Sequence, residues 1–322
     1  MPKIIAGDIG GTKTLLRCVD SSGATAAEKR FDSSRYATFD DLLREFLPLC
    51  PGGIDAACFA VAGPVITGRA EVTNLKWVME SARLSATFKI PHISLINDFY
   101  AIALGVPLLG PADLVTLQSG KRDRSAPIGI LGAGTGLGEA MVAFHRDEWL
   151  VIPSEGGHGD FAPQDEEQMR LLAALQKKYG HVSWERVISG LGICNIYEFL
   201  TGRKEEAAHI AELAARGDDA GLRTFRMFVD IYGAEAGNMA LRVLARGGVF
   251  LAGGVTAKNQ KFFTDGKFIE AFLRKGRFRE LLLEMPVDLI INEQVGLIGA
   301  AAKAKAEGRR QKAEGRRQKA EG

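Results

Sequence analysis

Several features are scarce in this sequence of 322 residues, and each scarcity excludes a class of protein. There are only four cysteines, and none forms a CxxC or CxC pair, so neither a thiolate zinc site nor a disulfide framework is indicated. We expect buried, reduced thiols instead. No apolar run approaches the roughly 20 residues that a membrane-spanning helix needs. With 46% hydrophobic and 25% charged residues, the composition also excludes a disordered or fibrous chain.

A strong excess of one charge is also lacking. The formal net charge is +2, and the last twenty residues alone carry eight Lys or Arg against three Glu. The basic character therefore belongs to the C-terminus, and neither nucleic acid nor a membrane is an expected partner. The segment "KAEGRRQ" repeats there with one alanine per seven residues, which is too little for a coiled-coil seam. We predict a charged repeat tail over 307–322 that is disordered or forms a solvated or frayed helical extension, with an electrostatic interaction tail as the alternative.

The rest of the chain alternates short strand-like and helix-like segments, which is typical of an α/β protein. Proline and glycine become dense at 106–112, which indicates a domain boundary. We predict a small domain over 1–108 and a large domain with helical insertions over 109–293. A helix at about 294–306 is expected to pack back on the small domain. Apolar residues spaced by threes and fours across 218–246 predict a helix that faces a core.

Both halves open with a strand, a glycine turn and a second strand: "IIAGDIGGTKTLLRCVD" and "IGILGAGTGLGEAMVAF". The second segment does not match the dinucleotide fingerprint, because Leu137 and Glu139 stand where its third glycine would be. Neither Gly-Lys pair of the chain continues with Ser or Thr, so the P-loop pattern is absent too. Backbone amides in a glycine turn can still bind phosphate oxygens. Asp8 beside the first turn would then require a bridging Mg²⁺; a plain hairpin turn is the alternative.

With a third glycine turn in "LAGGV", these motifs resemble a known superfamily. "DIGGTKT", "LGAGTGLG", "LAGGV" and "NEQVGLIGAAA" are similar to the phosphate, adenosine and connecting motifs of the sugar kinases, actin and heat-shock chaperone ATPases. More narrowly, "AVAGPV", "TNLKW", "LINDFYAIALG", "SEGGHGDFAP" and "WERVISGLGICNIYEF" resemble the bacterial glucokinase family, in the same order over residues 4–302. The Cys/His zinc motif of the related ROK group (repressor, open reading frame, kinase) is missing from the sequence. The resemblance thus favours the zinc-free branch.

The resemblance implies a two-domain actin-like ATPase fold, related to ribonuclease H, with mixed sheets flanked by helices and a ligand cleft between the domains. It also implies ATP-dependent phosphorylation of D-glucose to glucose 6-phosphate, with ADP as the second product, in the cytoplasm. Asp98 would be the general base on the 6-hydroxyl; helix capping is its structural alternative. The residues implied to bind glucose are Asn97, Asp98, Glu155, His158 and Glu185.

The nucleotide site implied by the resemblance comes from the three glycine turns. Mg-ATP would be held between the first two turns, and Asp8 would bind Mg²⁺, through water. The residues implied to contact ATP are Asp8, Gly10, Gly11, Thr12, Lys13, Gly134, Thr135, Gly136, Gly253 and Gly254. Lys13 stands where many relatives carry asparagine, which leaves its own contact with phosphate open.

Other interpretations remain at this stage. The enzyme could act on another hexose or an amino sugar, because a few hydroxyl contacts decide that choice. From a different class, the chain could be a non-catalytic sugar-sensing regulator or an actin-like assembly ATPase. His158 could be a zinc ligand or a loop histidine, and Glu185 could simply begin a helix. The oligomeric state also stays open, with a homodimer as one alternative.

Overall fold

The computed structural model describes residues 1–72, 75–146 and 148–321, with side chains through residue 311 and at 313. The chain divides into two compact units. Unit 1 comprises Met1–Leu109 and Gln294–Gly322, and unit 2 comprises Gly110–Glu293. Residues 73 and 74, the first two of the "TNLKW" motif, lie outside the described residues. Among the described residues, none of the helices combines the length and the apolar character that crossing a bilayer requires.

Unit 1 contains a mixed five-stranded sheet and a small three-stranded sheet. Its strands are β1 (Ile4–Ile9), β2 (Lys13–Val19), β3 (Thr25–Asp32), β4 (Ala56–Val61), β5 (Val65–Ile66), β6 (Arg69–Val72), β7 (Trp77–Glu80) and β8 (Ile93–Asn97). The larger sheet has the order β3-β2-β1-β4-β8, with β1, β4 and β8 parallel and the other pairs antiparallel. The strands β5, β6 and β7 form the small antiparallel sheet, which the sequence reading did not anticipate.

One face of the five-stranded sheet packs against aromatic and aliphatic side chains of two short helices, α1 (Phe39–Phe46) and α2 (Ser81–Phe88). Thr38 caps α1 by accepting a hydrogen bond from the Asp41 N–H, as polar residues before a helix commonly do. Burial of both sheet faces explains why β4 is buried at every residue.

The other face of that sheet is covered by α3 (Asp98–Gly105) and by the C-terminal helix (Val295–Glu321). Gly105 and Gly299 lie where the two helices cross. A Cβ atom at Gly105 would overlap the Val295 carbonyl, and one at Gly299 would overlap the Ala101 carbonyl. Glycine therefore permits a backbone approach that fixes α3, the helix that begins at Asp98.

Unit 2 is built on a six-stranded sheet with the order β12-β11-β10-β13-β14-β9. Its strands are β9 (Leu114–Gln118), β10 (Ile128–Ala133), β11 (Leu137–His145), β12 (Glu148–Ser154), β13 (Gly248–Ala252) and β14 (Val287–Ile290). The strands β10, β13 and β14 are parallel, and the remaining pairs are antiparallel. Its helices are α4 (Glu166–Tyr179), α5 (Gly190–Thr201), α6 (Ala207–Ala215), α7 (Asp219–Val243), α8 (Gly254–Lys258), α9 (Lys267–Phe272) and α10 (Arg279–Leu283).

The helix predicted across 218–246 is α7, and its apolar side chains lie in the core of unit 2. Phe225, Phe228 and Tyr232 are each 0% exposed. Phe225 and Tyr232 pack on the rings of Phe262 and Phe263 outside the helix, and Phe228 packs on Tyr232 within it. The prediction of a core-facing helix is thus confirmed. The same helix also buries Glu235, a carboxyl that the apolar periodicity does not reveal.

The C-terminal helix α11 (Val295–Glu321) is longer than the sequence predicted. Its backbone stays helical through the "KAEGRRQ" repeats, so the predicted disordered tail over 307–322 differs from the structure as far as Glu321. The backbone agrees with a helical extension of the charged tail. Alanine, lysine, glutamate, arginine and glutamine have high helix propensity, and they outnumber the one unfavourable glycine of each repeat. A helix also needs no apolar seam to continue from a docked first half.

Candidate active site

The first glycine turn, residues 10–13, connects β1 to β2 in unit 1. Ile9 pairs with Thr14 across the hairpin, and the Gly10 N–H donates to the Lys13 carbonyl at 3.0 Å. A Cβ atom at Gly10 would lie 2.9 Å from the same carbonyl, which is closer than real Cβ contacts come. The side chains of Thr12 and Lys13 are exposed. The turn therefore presents backbone to solvent at the end of a buried strand.

Asp8 and Asp98 stand at the carboxyl edge of the same parallel strands, where ligands bind in α/β sheets. Asp8 is on β1, and Asp98 directly follows β8, the strand on the far side of β4. Burial raises the pKa of Asp8 to about 6, with a further contribution from the charge of Asp98. Burial likewise raises the pKa of Asp98, while N–H groups directed at its carboxylate oppose the shift. This edge thus carries two carboxyl groups with increased proton affinity.

The residue before Asp98 takes the capping role. Asn97 precedes α3, and its Oδ1 accepts hydrogen bonds from the N–H groups of Phe99 and Tyr100 at 2.9 and 3.1 Å. Its Nδ2 donates to the Gly63 carbonyl and to Asp98 Oδ1, both at 3.0 Å. Asn97 is therefore the N-cap residue, and Asp98 is the first residue of the helix, where its Oδ1 also accepts a hydrogen bond from the Phe99 N–H at 2.8 Å.

The second glycine turn, residues 134–136, connects β10 to β11 in unit 2. The Gly134 N–H donates to the Gly136 carbonyl at 2.9 Å, and the Gly190 N–H donates to the Gly134 carbonyl at 2.8 Å. Glu185 Oε2 accepts a hydrogen bond from the Leu137 N–H at 3.0 Å. A Cβ atom at Gly136 would overlap the Glu185 carboxylate. Glu185 is therefore part of the turn and does not merely begin a helix.

The loop "SEGGH" follows β12 and packs against β11, the strand that begins after this turn. A Cβ atom at Gly157 would overlap the Leu137 carbonyl, and one at Gly156 would overlap the carboxyl of Glu139. The side chains of Glu155 and His158 are 92% and 59% exposed, and Glu155 Oε2 lies 3.7 Å from His158 Nε2. The two glycines thus let the loop pass closely over β11, while Glu155 and His158 face solvent.

Backbone contacts join this loop to the segment that carries Glu185. The Trp184 N–H donates to the Gly159 carbonyl at 3.0 Å, and Asp160 forms a bridge with Ser183. Unit 2 therefore brings together three of the residues predicted to bind glucose: Glu155, His158 and Glu185. Unit 1 brings together the other two, Asn97 and Asp98, at the sheet edge that also holds Asp8.

The third glycine turn follows β13. Gly253 has a φ of +93°, and a Cβ atom there would overlap the backbone of Ala133 on β10. Gly254 begins α8, and a Cβ atom there would meet nothing within 4 Å. Thr256 Oγ1 donates to the Ala252 carbonyl at 2.6 Å and fixes the turn from below. Gly253 is thus required by the sheet, whereas Gly254 leaves open space.

Sequence reasoning missed two buried polar groups next to these turns. Ser33 follows β3, is 0% exposed and donates its hydroxyl to the Gly10 carbonyl at 2.9 Å. Glu139 on β11 is 2% exposed, and within the part of the chain that the structure describes neither of its carboxyl oxygens has a hydrogen-bond partner. A glutamate inside the apolar pattern "LGEAMVAF" is the signal that could have revealed the second; a serine after a strand gives no comparable signal.

The residues around Asp8 fit a magnesium ion. A carboxyl that is largely buried, beside a second carboxyl and with its pKa raised by both causes, would be stabilised by a divalent cation. Carboxylate and water oxygens are the ligands that Mg²⁺ prefers. The donor set at this edge therefore suits a hard cation bound chiefly through water.

Comparisons with known proteins place these features in context. A family model described as Glucokinase matches residues 5–307. A glucokinase from Nostoc sp. is 41% identical, and the alignment covers 94% of this chain and 98% of that protein. The crystal structure of a glucokinase from an Antarctic psychrotroph superposes with a TM-score of 0.87 at 31% identity, covering 95% of this chain and 99% of that one. A ROK family glucokinase from Streptomyces griseus, in complex with glucose and AMPPNP, shares the fold at 20% identity with a TM-score of 0.62, covering 94% and 99%.

Proposed function

The chain belongs to the bacterial glucokinase family, and from that premise we propose that it phosphorylates D-glucose on the 6-hydroxyl with Asp98 as the general base. It has the actin-like ATPase fold of the sugar kinases, and it is a hexose phosphotransferase with an alcohol acceptor. Use of ATP and glucose is supported by these relatives. The roles of individual residues are the proposal.

In the proposed reaction, the Asp98 carboxylate accepts the proton of the glucose 6-hydroxyl while O6 attacks the γ-phosphorus of ATP. The bond between the γ-phosphorus and the bridging oxygen to the β-phosphate breaks, and ADP leaves. Because phosphoryl transfer needs positioning and charge neutralisation more than covalent chemistry, one general base and well-placed donors suffice.

The observation that carries this proposal is the surroundings of Asp98. Burial raises its pKa, which makes the ionised group a stronger base than a solvated aspartate. Asn97 caps the helix and donates to Asp98 Oδ1, which fixes the direction of the carboxyl group. A base held in one orientation at the edge of a parallel sheet fits proton abstraction from a bound hydroxyl.

The glycine turns are proposed to bind the nucleotide. In unit 1, Gly10, Gly11, Thr12 and Lys13 would supply amides to phosphate oxygens, and Asp8 would bind Mg²⁺ through water. When bound, Mg²⁺ would neutralise charge on the phosphates. In unit 2, residues 134–136 would contact phosphate, and Gly254, with open space above it, would admit the adenosine beside Gly253.

The glucose contacts are proposed for Asn97, Asp98, Glu155, His158 and Glu185. Carboxylates can accept hydrogen bonds from neighbouring sugar hydroxyls, and an imidazole or an amide can also donate to them. Glu185 would have two tasks, because one of its oxygens already accepts from the Leu137 N–H of the second turn. Sugar binding at Glu185 would thus act on the geometry of that turn.

The decisive test is Asp98→Asn. We expect turnover to fall about 10²-fold or more, as for loss of a general base, while glucose binding measured by calorimetry persists. Asp20→Asn is a matched control, because Asp20 Oδ1 also accepts backbone N–H groups in unit 1, at 2.8 Å from Ser22. Normal turnover of the Asp98 variant would exclude Asp98 as the base.

A panel of hexoses tests the choice of acceptor. We expect ADP release to be fastest with glucose when ADP is followed by a coupled assay. A clear preference for fructose or an amino sugar would replace glucose as the substrate, without affecting the role of Asp98. Binding of sugar without any ADP release would favour the regulator instead.

Assembly and location are separate proposals. We propose a cytoplasmic location for this family member, and a homodimer is one assembly that is open to direct test. Light scattering on a size-exclusion column measures the mass directly, and a monomer at micromolar concentration would contradict the dimer. Fractionation of the source cells tests the location.

A further inference from the structure

A buried hydroxyl pair lies behind the first glycine turn. Ser33 follows β3, the strand next to β2, and Asp32 caps its short helical turn by accepting from the Ser34 N–H. Ser33 and Thr14 are both 0% exposed, and their hydroxyl oxygens lie 2.9 Å apart. Because neither can reach solvent, each must find its hydrogen-bond partners inside the protein.

Ser33 contacts the turn at two carbonyl groups. Its hydroxyl donates to the Gly10 carbonyl at 2.9 Å, and its backbone N–H donates to the Thr12 carbonyl at 3.0 Å. A hydroxyl has one proton, so Thr14 must be the donor in its contact with Ser33 Oγ. The chain of donors thus runs from Thr14 to Ser33 and then to Gly10.

These two contacts orient two peptide groups of the turn. In a planar trans peptide, the N–H points opposite to the C=O. Since the Gly10 and Thr12 carbonyls point at Ser33, the N–H groups of Gly11 and Lys13 point away from it. The side of the turn opposite Ser33 therefore carries these two amide donors.

Glycine makes this external support necessary. Gly10 and Gly11 allow a wide range of backbone conformations, so the turn sequence alone does not fix the direction of its peptide planes. We propose that Ser33, supported by Thr14, is a positioning residue that holds the first glycine turn with its amides directed at the phosphates of ATP. This inference depends on the proposed role of residues 10–13 in binding ATP. Ser33 itself would contact no substrate.

The test is Ser33→Ala in the full-length protein. We expect the KM for ATP and the Kd for Mg-ADP to rise about tenfold, because the Gly10 carbonyl is no longer held and the turn samples other orientations. The Kd for glucose, measured without nucleotide, should stay within about twofold of the original value. A role confined to stability would lower the melting temperature without separating the two ligands.

Ser85→Ala is the matched control. Ser85 lies in the same unit, and its hydroxyl also donates to a backbone carbonyl, that of Ile90 at 2.6 Å. Its loss should lower stability without raising the KM for ATP. Thr14→Ser, which keeps the donor to Ser33, should preserve ATP affinity, and Thr14→Val should weaken it. These two variants keep the inference testable if Ser33→Ala folds poorly.

The outcomes separate this inference from the proposed function. Failure of the unmodified protein to bind Mg-ADP would contradict the proposed function. Binding in the unmodified protein with an unchanged KM for ATP in folded Ser33→Ala would overturn only the role of Ser33. Equal weakening of ATP and glucose in that variant would also overturn it, since a local effect on one turn cannot act equally on both ligands.

Discussion

The two glycine hairpins stand at the same place in their sheets but are supported differently. In both units an antiparallel hairpin is followed by a parallel neighbour, β2-β1-β4 in unit 1 and β11-β10-β13 in unit 2. The first turn is held by the neutral hydroxyl of Ser33. The second is held by the carboxylate of Glu185 and by the Gly190 N–H.

The origin of each support explains what it can do. Ser33 ends the next strand of the same sheet, so it belongs to the framework that the turn itself closes. Glu185 comes from a helical insertion and stands beside the loop that bears Glu155 and His158. The hydroxyl of Ser33 is proposed to contact no ligand, so its support of the first turn does not depend on one. The carboxylate of Glu185 is also a proposed sugar ligand, so the geometry of the second turn would depend on bound sugar.

Of the changes that test this difference between the two turns, Gly136→Ala should have the largest effect. The new Cβ atom would overlap the Glu185 carboxylate, so the turn or the carboxylate must shift. We expect kcat/KM to fall about 10²-fold, the order of loss for displacement of a positioned group by about 1 Å. Steady-state kinetics at saturating ATP measures this. Gly53→Ala is the control, since a Cβ atom there meets nothing within 4 Å and Gly53 has no proposed ligand contact, and its loss should be much smaller. Equal losses would mean that contact with Glu185 is unimportant.

A smaller effect is expected from removing the charge of Glu185. Glu185→Gln keeps an oxygen that can accept from the Leu137 N–H, so the turn should stay in place. We expect the KM for glucose to rise about tenfold, as for loss of one charged hydrogen bond, with the KM for ATP nearly unchanged. Glu185→Ala removes the acceptor as well and should raise both constants. An increase in the KM for ATP alone in the Gln variant would separate Glu185 from the sugar.

The strands and the turns were predictable because their signals are local. Alternation, glycine pairs and the apolar stripe of α7 each depend on residues close in sequence. The small sheet of β5, β6 and β7 was missed, since its strands are two to four residues long. Its turns also include Thr67 and Lys76, non-glycine residues with φ of 48° and 54°, which no turn rule would select.

The residues of the candidate site were predictable only where they belong to a recognisable motif. Asp98 and the glycine turns follow from quoted motifs, but Ser33 and the partnership of Glu185 with Gly136 depend on contacts between distant segments. Leu137 and Glu185, for example, are 48 residues apart and meet through one hydrogen bond. Tertiary hydrogen bonds of this kind leave no periodicity in the sequence. Supports of a turn are therefore harder to predict than the turn.

The last and smallest expected effect concerns Glu139, the buried carboxyl next to the second hairpin. Burial, together with the nearby Glu235, raises its pKa to about 7, and the positive charge of Arg242 opposes the shift. Arg242 Nη1 lies 3.8 Å from Glu139 Oε2 and also pairs with Glu235. Unit 1 also carries a titrating carboxyl beside its hairpin, because burial raises the pKa of Asp8 to about 6. Comparing Glu139→Gln with the unmodified protein isolates the group of unit 2, since Asp8 is present in both.

The sign of the effect follows from proton binding. Because the pKa of Glu139 is about 7 in the folded state and near 4.5 when exposed, the folded protein binds more protons between these values, and stability falls as pH rises. Chemical denaturation of Glu139→Gln and the unmodified protein should show the latter losing about 1 kcal/mol more between pH 6 and 8. Glu280→Gln, which alters a surface carboxylate, should leave the slope unchanged. Parallel pH profiles for Glu139→Gln and the unmodified protein would mean that Glu139 does not titrate there. The difference between the two hairpin supports would then be one of geometry and not of charge.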